Sequence, residues 1–326
     1  MRFIIKLFFV VGYIFGSLSV AHHSRAGFNM NSVQLFRGEV TSFNWSNPHT
    51  HIIIRLNDKQ EEWFIETDAI PILRRAGWSS ESLSVGEHII LRANPAYQGQ
   101  SALLVSVQKQ DNSLLTPRAH FDKSTALPII REPAESLAGI WELEFGDLGD
   151  FMERWALTPI TDKGRAAREQ FLPEDRPAGK CIGTPTPQLM AMPFLNEIQI
   201  KENMVVIRSE FLNTERVIYT DGRMHPPDGQ RTNQGHSIGY WDDGDLIVDT
   251  ILFEDHRAPI RGPNEGVPSG NLRHVTERYS LNEDKTGINI DFSVVDPEYL
   301  VIPFSGSLSW KHVTTFSLAD FKCETD

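Results

Sequence analysis

Short runs of β-branched and aromatic residues recur along this chain, each closed by Gly, Pro, Asn or Asp. That rhythm constrains the fold more than any other feature, because segments of this length and period pair as antiparallel strands. Between residues 33 and 108 there are five such runs, at 33–45, 49–56, 61–67, 88–93 and 102–107. Gly38 interrupts the first, where a bend or bulge is expected. A short helix over 70–76, ended by Gly77, separates the third run from the fourth. Five short strands with one intervening helix fit a small closed barrel of the OB type.

Residues 109–137 lose the period, hold Pro117, Pro128 and Pro133, and read as a linker. From 138 to 326 a second β-rich domain follows, with strands expected at 139–145, 204–211, 216–221, 246–253, 273–281, 288–295 and 307–313. One helix is expected over 162–171, with Thr161 as its N-cap. Residues 172–196 are Pro-rich and irregular, and two long connections stand out at 222–235 and 254–271. With no βαβ alternation, the expected fold is mainly β. It is a small OB-like five-stranded barrel over 22–108, then a larger antiparallel β-barrel or sandwich with one or two short helices.

Residues 1–21 are set apart as a signal peptide. Arg2 and Lys6 precede an apolar run over 7–18, and Ser19-Val20-Ala21 offers small residues for cleavage. The run falls short of the roughly 20 residues that a spanning helix needs. A periplasmic or secreted protein is therefore expected, with no membrane span once the signal is removed. In an oxidising compartment Cys181 and Cys323 would pair or remain as two thiols. The net charge of −12, with 43 acidic against 31 basic residues and no basic run, argues against a nucleic-acid partner. The oligomeric state stays open.

Two stretches resemble exported bacterial proteins. Ala21-His22-His23-Ser24, Gly38-Glu39-Val40 and Asn44-Trp45-Ser46-Asn47-Pro48-His49 are similar to an uncharacterised domain with an "AHHS" start and a "W-x-NPH" element. Ala76-Gly77-Trp78 and Gly86-Glu87-His88 fit the same pattern, and the resemblance spans about residues 20–110. A second resemblance, over about 155–305, is to another group of exported proteins. It rests on Tyr219-x-Asp221-Gly222-Arg223-x-His225-Pro226, Gly235-His236-Ser237-Ile238-Gly239-x-Trp241 and Asp245-Leu246-x-Val248-x-Thr250. It continues through His274-Val275-x-Glu277-Arg278 and Asp296-Pro297. The group's W-E-G-D is longer here, Trp241-Asp242-Asp243-Gly244-Asp245. These resemblances imply export and a two-part β architecture, and no reaction.

Two constellations carry potential chemistry. Cleavage after Ala21 would make His22 the N-terminal residue, and His22, His23, His49 and His51 could then hold copper or zinc, an amine and imidazoles forming a histidine brace. His49 and His51 would share a strand face. The plainer reading is a frayed terminus and a turn-closing His49.

In the second domain, Asp221, His236 and Arg278 are the candidate catalytic residues. Tyr219, Arg223, His225, Asp249, His274 and Glu277 are candidate ligand-binding residues. A barrel interior that gathers such groups among apolar walls has the character of a small-molecule site. A histidine oriented by Asp221, Asp249 or Glu277 suits cofactor-independent proton transfer, as in an isomerase, lyase, cyclase or hydrolase. The plainer alternatives are outward-facing side chains or a buried ion pair such as Glu210 with Arg216. Glu277 and Arg278, being adjacent, must face opposite ways. No P-loop, G-x-G-x-x-G or H-E-x-x-H motif is present. Three readings follow: a ligand-binding or enzymatic barrel, a copper or zinc protein, and a non-catalytic interaction module.

Overall fold

The period-2 segments pair into two closed barrels, described by a computed structural model over residues 27–59, 61–117, 132–172, 175–257, 260 and 264–323. The first contains β1 (Gln34–Asn44), β2 (His51–Leu56), β3 (Glu62–Glu66), β4 (His88–Pro95) and β5 (Ser101–Gln108). β1 lies antiparallel between β2 and β4, β2 pairs with β3, and β4 with β5. A parallel pairing of β3 with β5 closes the ring, as in an OB barrel. The helix α1 (Ile70–Arg75) separates β3 from β4, and β6 (Leu114–Leu115) extends the sheet beyond β5. Gly38 permits the closure of β1 on β2, since a Cβ there would stand 2.4 Å from the Arg55 carbonyl oxygen. Val40, Ile52, Ile54, Ile65, Leu91 and Val107 fill the interior.

The second barrel has nine strands: β7 (Gly139–Leu143), β8 (Leu195–Lys201), β9 (Met204–Ser209), β10 (Thr214–Tyr219), β11 (His236–Asp242), β12 (Asp245–Ile251), β13 (His274–Leu281), β14 (Gly287–Val295) and β15 (Phe304–His312). Neighbours in sequence are neighbours in the ring, and β15 closes on β7. All pairings are antiparallel except β10 with β11, which is parallel. A ring with an odd number of strands cannot be antiparallel throughout. A parallel pair in turn needs a crossover rather than a hairpin. Residues 222–235 are that crossover.

β14 shows the alternation plainly: Ile288, Ile290, Phe292 and Val294 are buried, while Asn289 and Asp291 face out. A large apolar cluster occupies the interior. Met190 and Ala191 of the Pro-rich segment enter it, and Trp310 Nε1 donates to the Met190 carbonyl at 2.9 Å. The expected helix forms as α3 (Asp162–Glu169), and the Thr161 hydroxyl accepts from Gly164 N. An unexpected helix, α2 (Phe145–Leu157), replaces the end of the strand expected over 139–145. Its Phe151 and Trp155 pack against Phe292 and Phe304. No helix among the described residues is long and apolar enough to cross a membrane.

The two barrels share an apolar cluster, with Ala69 and Ile72 of the first against Leu189, Met192, Phe194, Phe211 and Phe321 of the second. Asn47 of the W-x-NPH element donates to the Phe321 carbonyl and accepts from Ile70 N. The Cys181–Cys323 disulfide pins the C-terminal tail alongside. Arg75, 5% exposed at its side chain, reaches Glu210 at 2.7 Å and Glu142 at 3.5 Å. Glu210 is thereby paired with Arg75 and not, as the sequence suggested, with Arg216. Removing one partner of a buried ion pair leaves the other charge stranded, so Arg75→Ala should destabilise the protein by about 3–5 kcal/mol in urea unfolding. A loss below about 1 kcal/mol would mean that the two barrels do not rely on this contact.

Candidate functional site

The wall formed by β10, β11, β12 and β13 carries ionisable side chains on both faces, and strand alternation sorts them. Arg216, Ser237, Thr250, Glu277 and Tyr279 point inward and are buried. Arg216 clasps Glu277 with two guanidinium nitrogens, and also donates to Ser237 Oγ at 3.0 Å and Thr250 Oγ1 at 2.7 Å. Thr186 Oγ1 donates to Glu277 at 2.5 Å, and the Tyr279 hydroxyl does so at 3.2 Å. This ion pair is fully hydrogen-bonded, the condition under which a buried pair persists. Burial, then the Glu277 charge, pushes the Tyr279 phenol well above its ordinary range.

The outer face of the same wall holds the other group. His236 opens β11 directly after Gly235, which has φ +70° and no room for a Cβ, since one would stand 2.7 Å from the Ile251 carbonyl. Ile238 and Thr276 are the register partners of Asp249, so His236 and His274 each stand diagonally from it on the same face. His225 enters from the crossover and completes a chain of contacts. Its Nδ1 lies 2.8 Å from His236 Nδ1, and its Nε2 lies 2.8 Å from Asp249 Oδ1. His274 Nε2 reaches Asp249 Oδ2 at 2.6 Å. Tyr219 stacks on His236 with ring centroids 5.4 Å apart, and the Arg223 guanidinium stands 3.8 Å over the Tyr219 ring. Asp221 holds Arg223 through contacts of 2.6–3.0 Å, and that guanidinium lowers the Asp221 carboxyl to about 2.

Hydrogen-bond logic assigns the protons. A carboxylate only accepts, so His225 Nε2 and His274 Nε2 donate to Asp249. With a neutral His225, its Nδ1 accepts, His236 donates from its own Nδ1, and His236 Nε2 is left with a lone pair. Partial burial, and after it neighbouring positive charge such as that of Arg223, lowers the His236 pKa, which favours this neutral, basic form.

Tyr219, Asp221, Arg223, His225, His236, Asp249 and His274 thus meet, on the outer face rather than in the barrel interior. Two nominated residues do not join them. Glu277 has the opposite parity on β13 and belongs to the inner network. Arg278 faces out but pairs with Asp245 at 2.6 Å and Asp242 at 3.2 Å. It lies four residues, about 13 Å of strand, from His274. In the first barrel, His49 Nδ1 lies 2.5 Å from Glu66 Oε1, and His51 stacks on Phe64 at 4.7 Å. His22 and His23 fall outside the described residues, as do residues 1–21, where a signal peptide was expected. Among the described residues no group of three His, Cys, Asp or Glu side chains is arranged to hold a metal ion. In the outer cluster, His225 has both nitrogens engaged by protein partners.

Arg273 and His256 were not singled out from the sequence, and Arg216 was named only as a partner for Glu210. His256 is 4% exposed and donates from Nε2 to the Gly183 carbonyl at 3.1 Å. Burial lowers its pKa to about 4.

Residues 13–105 match the model of a family of unknown function (DUF6152), a stretch that takes in β1 to β4 and most of β5. No curated protein matches the chain.

The buried His256 has a consequence for acid stability. Its folded pKa is depressed below the model-peptide value of about 6.5, so the unfolded chain binds the proton more readily. Its stabilisation is present above about pH 6.5 and is lost as pH falls toward about 4, amounting to about 3 kcal/mol. Urea unfolding across that window should show a steeper acid loss in the wild type than in His256→Asn. Equal slopes would contradict a neutral buried imidazole.

Proposed function

We propose that this chain is an exported β-barrel protein whose second barrel carries out cofactor-independent proton transfer on a small organic molecule. The reaction class is that of an isomerase, lyase, cyclase or hydrolase. The observation that carries this reading is the chain Asp249–His225–His236, a carboxylate orienting one imidazole that in turn orients a second. Export is supported by the leader-like residues 1–21 and by the Cys181–Cys323 disulfide, which suits an oxidising compartment.

His236 Nε2 takes the proton from the bound molecule. As His236 becomes an imidazolium, its Nδ1–H bond to His225 strengthens, and the Asp249 carboxylate stabilises the added charge through His225. Return of the proton from Nε2 to another atom of the substrate, or to a leaving group, completes the cycle. Tyr219 braces the ring of His236 from one side, and Asp221 fixes Arg223 over Tyr219. Arg223 offers a positive charge to an anionic substrate or to an enolate as it forms.

p-Nitrophenyl acetate, which any activated imidazole attacks, is a substrate-independent probe of this site. The wild type should hydrolyse it with a rate that falls as pH drops through the lowered His236 pKa. His236→Ala should lose about 100-fold and Asp249→Asn at least about 10-fold, within the range of general-base effects. Equal rates for His236→Ala and the wild type would contradict the proposal.

A further inference from the structure

The crossover between β10 and β11 has a fastened end and a loose one. Residues 231–234 are tied down: Arg231 Nη1 donates to the Phe253 carbonyl at 2.9 Å, Thr232 N to that of Leu252 at 3.1 Å, and Gln234 Nε2 to that of Thr184 at 2.9 Å. Residues 222–230 are exposed apart from His225 and Gly229. Gly229 packs on Leu252, where a Cβ would stand 2.6 Å from Cδ1. Among the described residues, the polar contacts of this stretch with the strands are those of His225, whose side chain is 15% exposed. Arg223 stands over Tyr219 but directs its hydrogen bonds to Asp221. Gly222, at φ +80° and in open space, gives the loose end a hinge.

The fastening of His225 depends on proton count. Its Nδ1 lies 2.8 Å from His236 Nδ1, a distance with space for one hydrogen. With both rings neutral, His236 supplies that hydrogen. One added proton is accommodated. On His236 Nε2 it leaves the contact as it is, and on His225 Nδ1 it reverses the bond while His236 keeps its own proton at Nε2. A second added proton makes both rings imidazolium, and two N–H groups then point at each other across the contact. The surrounding charges do not rescue it. Asp249 of β12 is shared with His274 of β13, so three imidazolium rings would face one carboxylate. Tyr219 of β10 is uncharged, and Asp221 is already engaged by Arg223. Burial first, and neighbouring charge after it, lowers the His236 pKa, the direction expected where a charged ring is disfavoured.

We propose that residues 222–230 form an acid-released strap, latched by His225 against His236 and Asp249 at neutral pH and freed when His225 and His236 are both protonated. The closed form binds the second proton less readily than the open one. Closure is therefore fully favoured above about pH 6.5, the value for a free histidine, and is lost as pH falls through the lowered value of the closed form. Release uncovers Leu252, which is 9% exposed beneath Gly229. It also withdraws His225 from the Asp249–His225–His236 chain, so on the proton-transfer reading acid dismantles that site.

Spin labels on Met224→Cys and Val295→Cys report the strap directly, since both native cysteines are in the disulfide and both labelled positions are exposed. By double electron–electron resonance, their distance distribution should be narrow at pH 7.5. At pH 4.5 it should gain a population longer by about 5–10 Å, within reach of a freed stretch of this length. His225→Ala should show that population already at pH 7.5. His236→Asn, whose amide meets His225 Nδ1 with or without a proton, should stay narrow at pH 4.5. A reference pair on the barrel, Tyr240→Cys with Val295→Cys, should be unchanged throughout. A strap distance that is the same at both pH values, His236→Asn opening as the parent does, or the reference pair broadening together with the strap pair would overturn the proposal. No substrate enters these measurements, so the strap can fail while the proton-transfer reading stands, and the ester assay can fail while the strap opens.

Discussion

A closed ring of nine strands must contain a parallel pair, and the rest of the outer site depends on that constraint. The parallel pair here is β10 with β11, so the chain leaving Tyr219 cannot turn back in a hairpin and must cross to re-enter at His236. The crossover brings Asp221, Arg223 and His225 over the outer face, where His236, Asp249 and His274 already point outward from the next three strands. His225 is the one link supplied by the crossover itself, and it joins His236 to Asp249. Closure of the barrel and assembly of the histidine chain are thus the same topological event.

The wall beneath that chain is stiffened from within. Arg216 lies on β10, Ser237 on β11, Thr250 on β12 and Glu277 on β13, and their hydrogen bonds run across all four strands on the inner side. Tyr219, His236, Asp249 and His274 occupy those same strands with the opposite parity. The inner ion pair therefore fixes the spacing of the strands that present the outer imidazoles. Neither network uses a side chain of the other.

Much of the architecture was legible in the sequence, and the exceptions have physical causes. The five strands and single helix of the first barrel were visible because alternation and Gly77 mark them without competition. Helix α2 was hidden although Leu148, Phe151, Met152 and Trp155 follow a helical period, because Gly146 and Gly149 weaken any propensity-based expectation. β8 was missed because it emerges directly from a Pro-rich stretch. The outer residues were recognisable as a group, since Tyr219, Asp221, His225 and His236 fall within compact motifs. Their face was not: β10 and β13 carry polar residues at both parities, so alternation alone does not say which side is buried. Arg273 escaped notice, and Arg216 was assigned the wrong partner, because a fully buried arginine is the reverse of what residue type leads one to expect.

The central claim is the direction of the hydrogen bonds in the outer chain, and imidazole tautomers report it directly. Long-range 1H–15N correlation spectra of the wild type at pH 7.5 should show His225 protonated at Nε2 and His236 protonated at Nδ1, with His236 Nε2 bare. Asp249→Asn should disturb both assignments. A wild-type spectrum with His236 protonated at Nε2, or His236 indifferent to Asp249→Asn, would contradict the account.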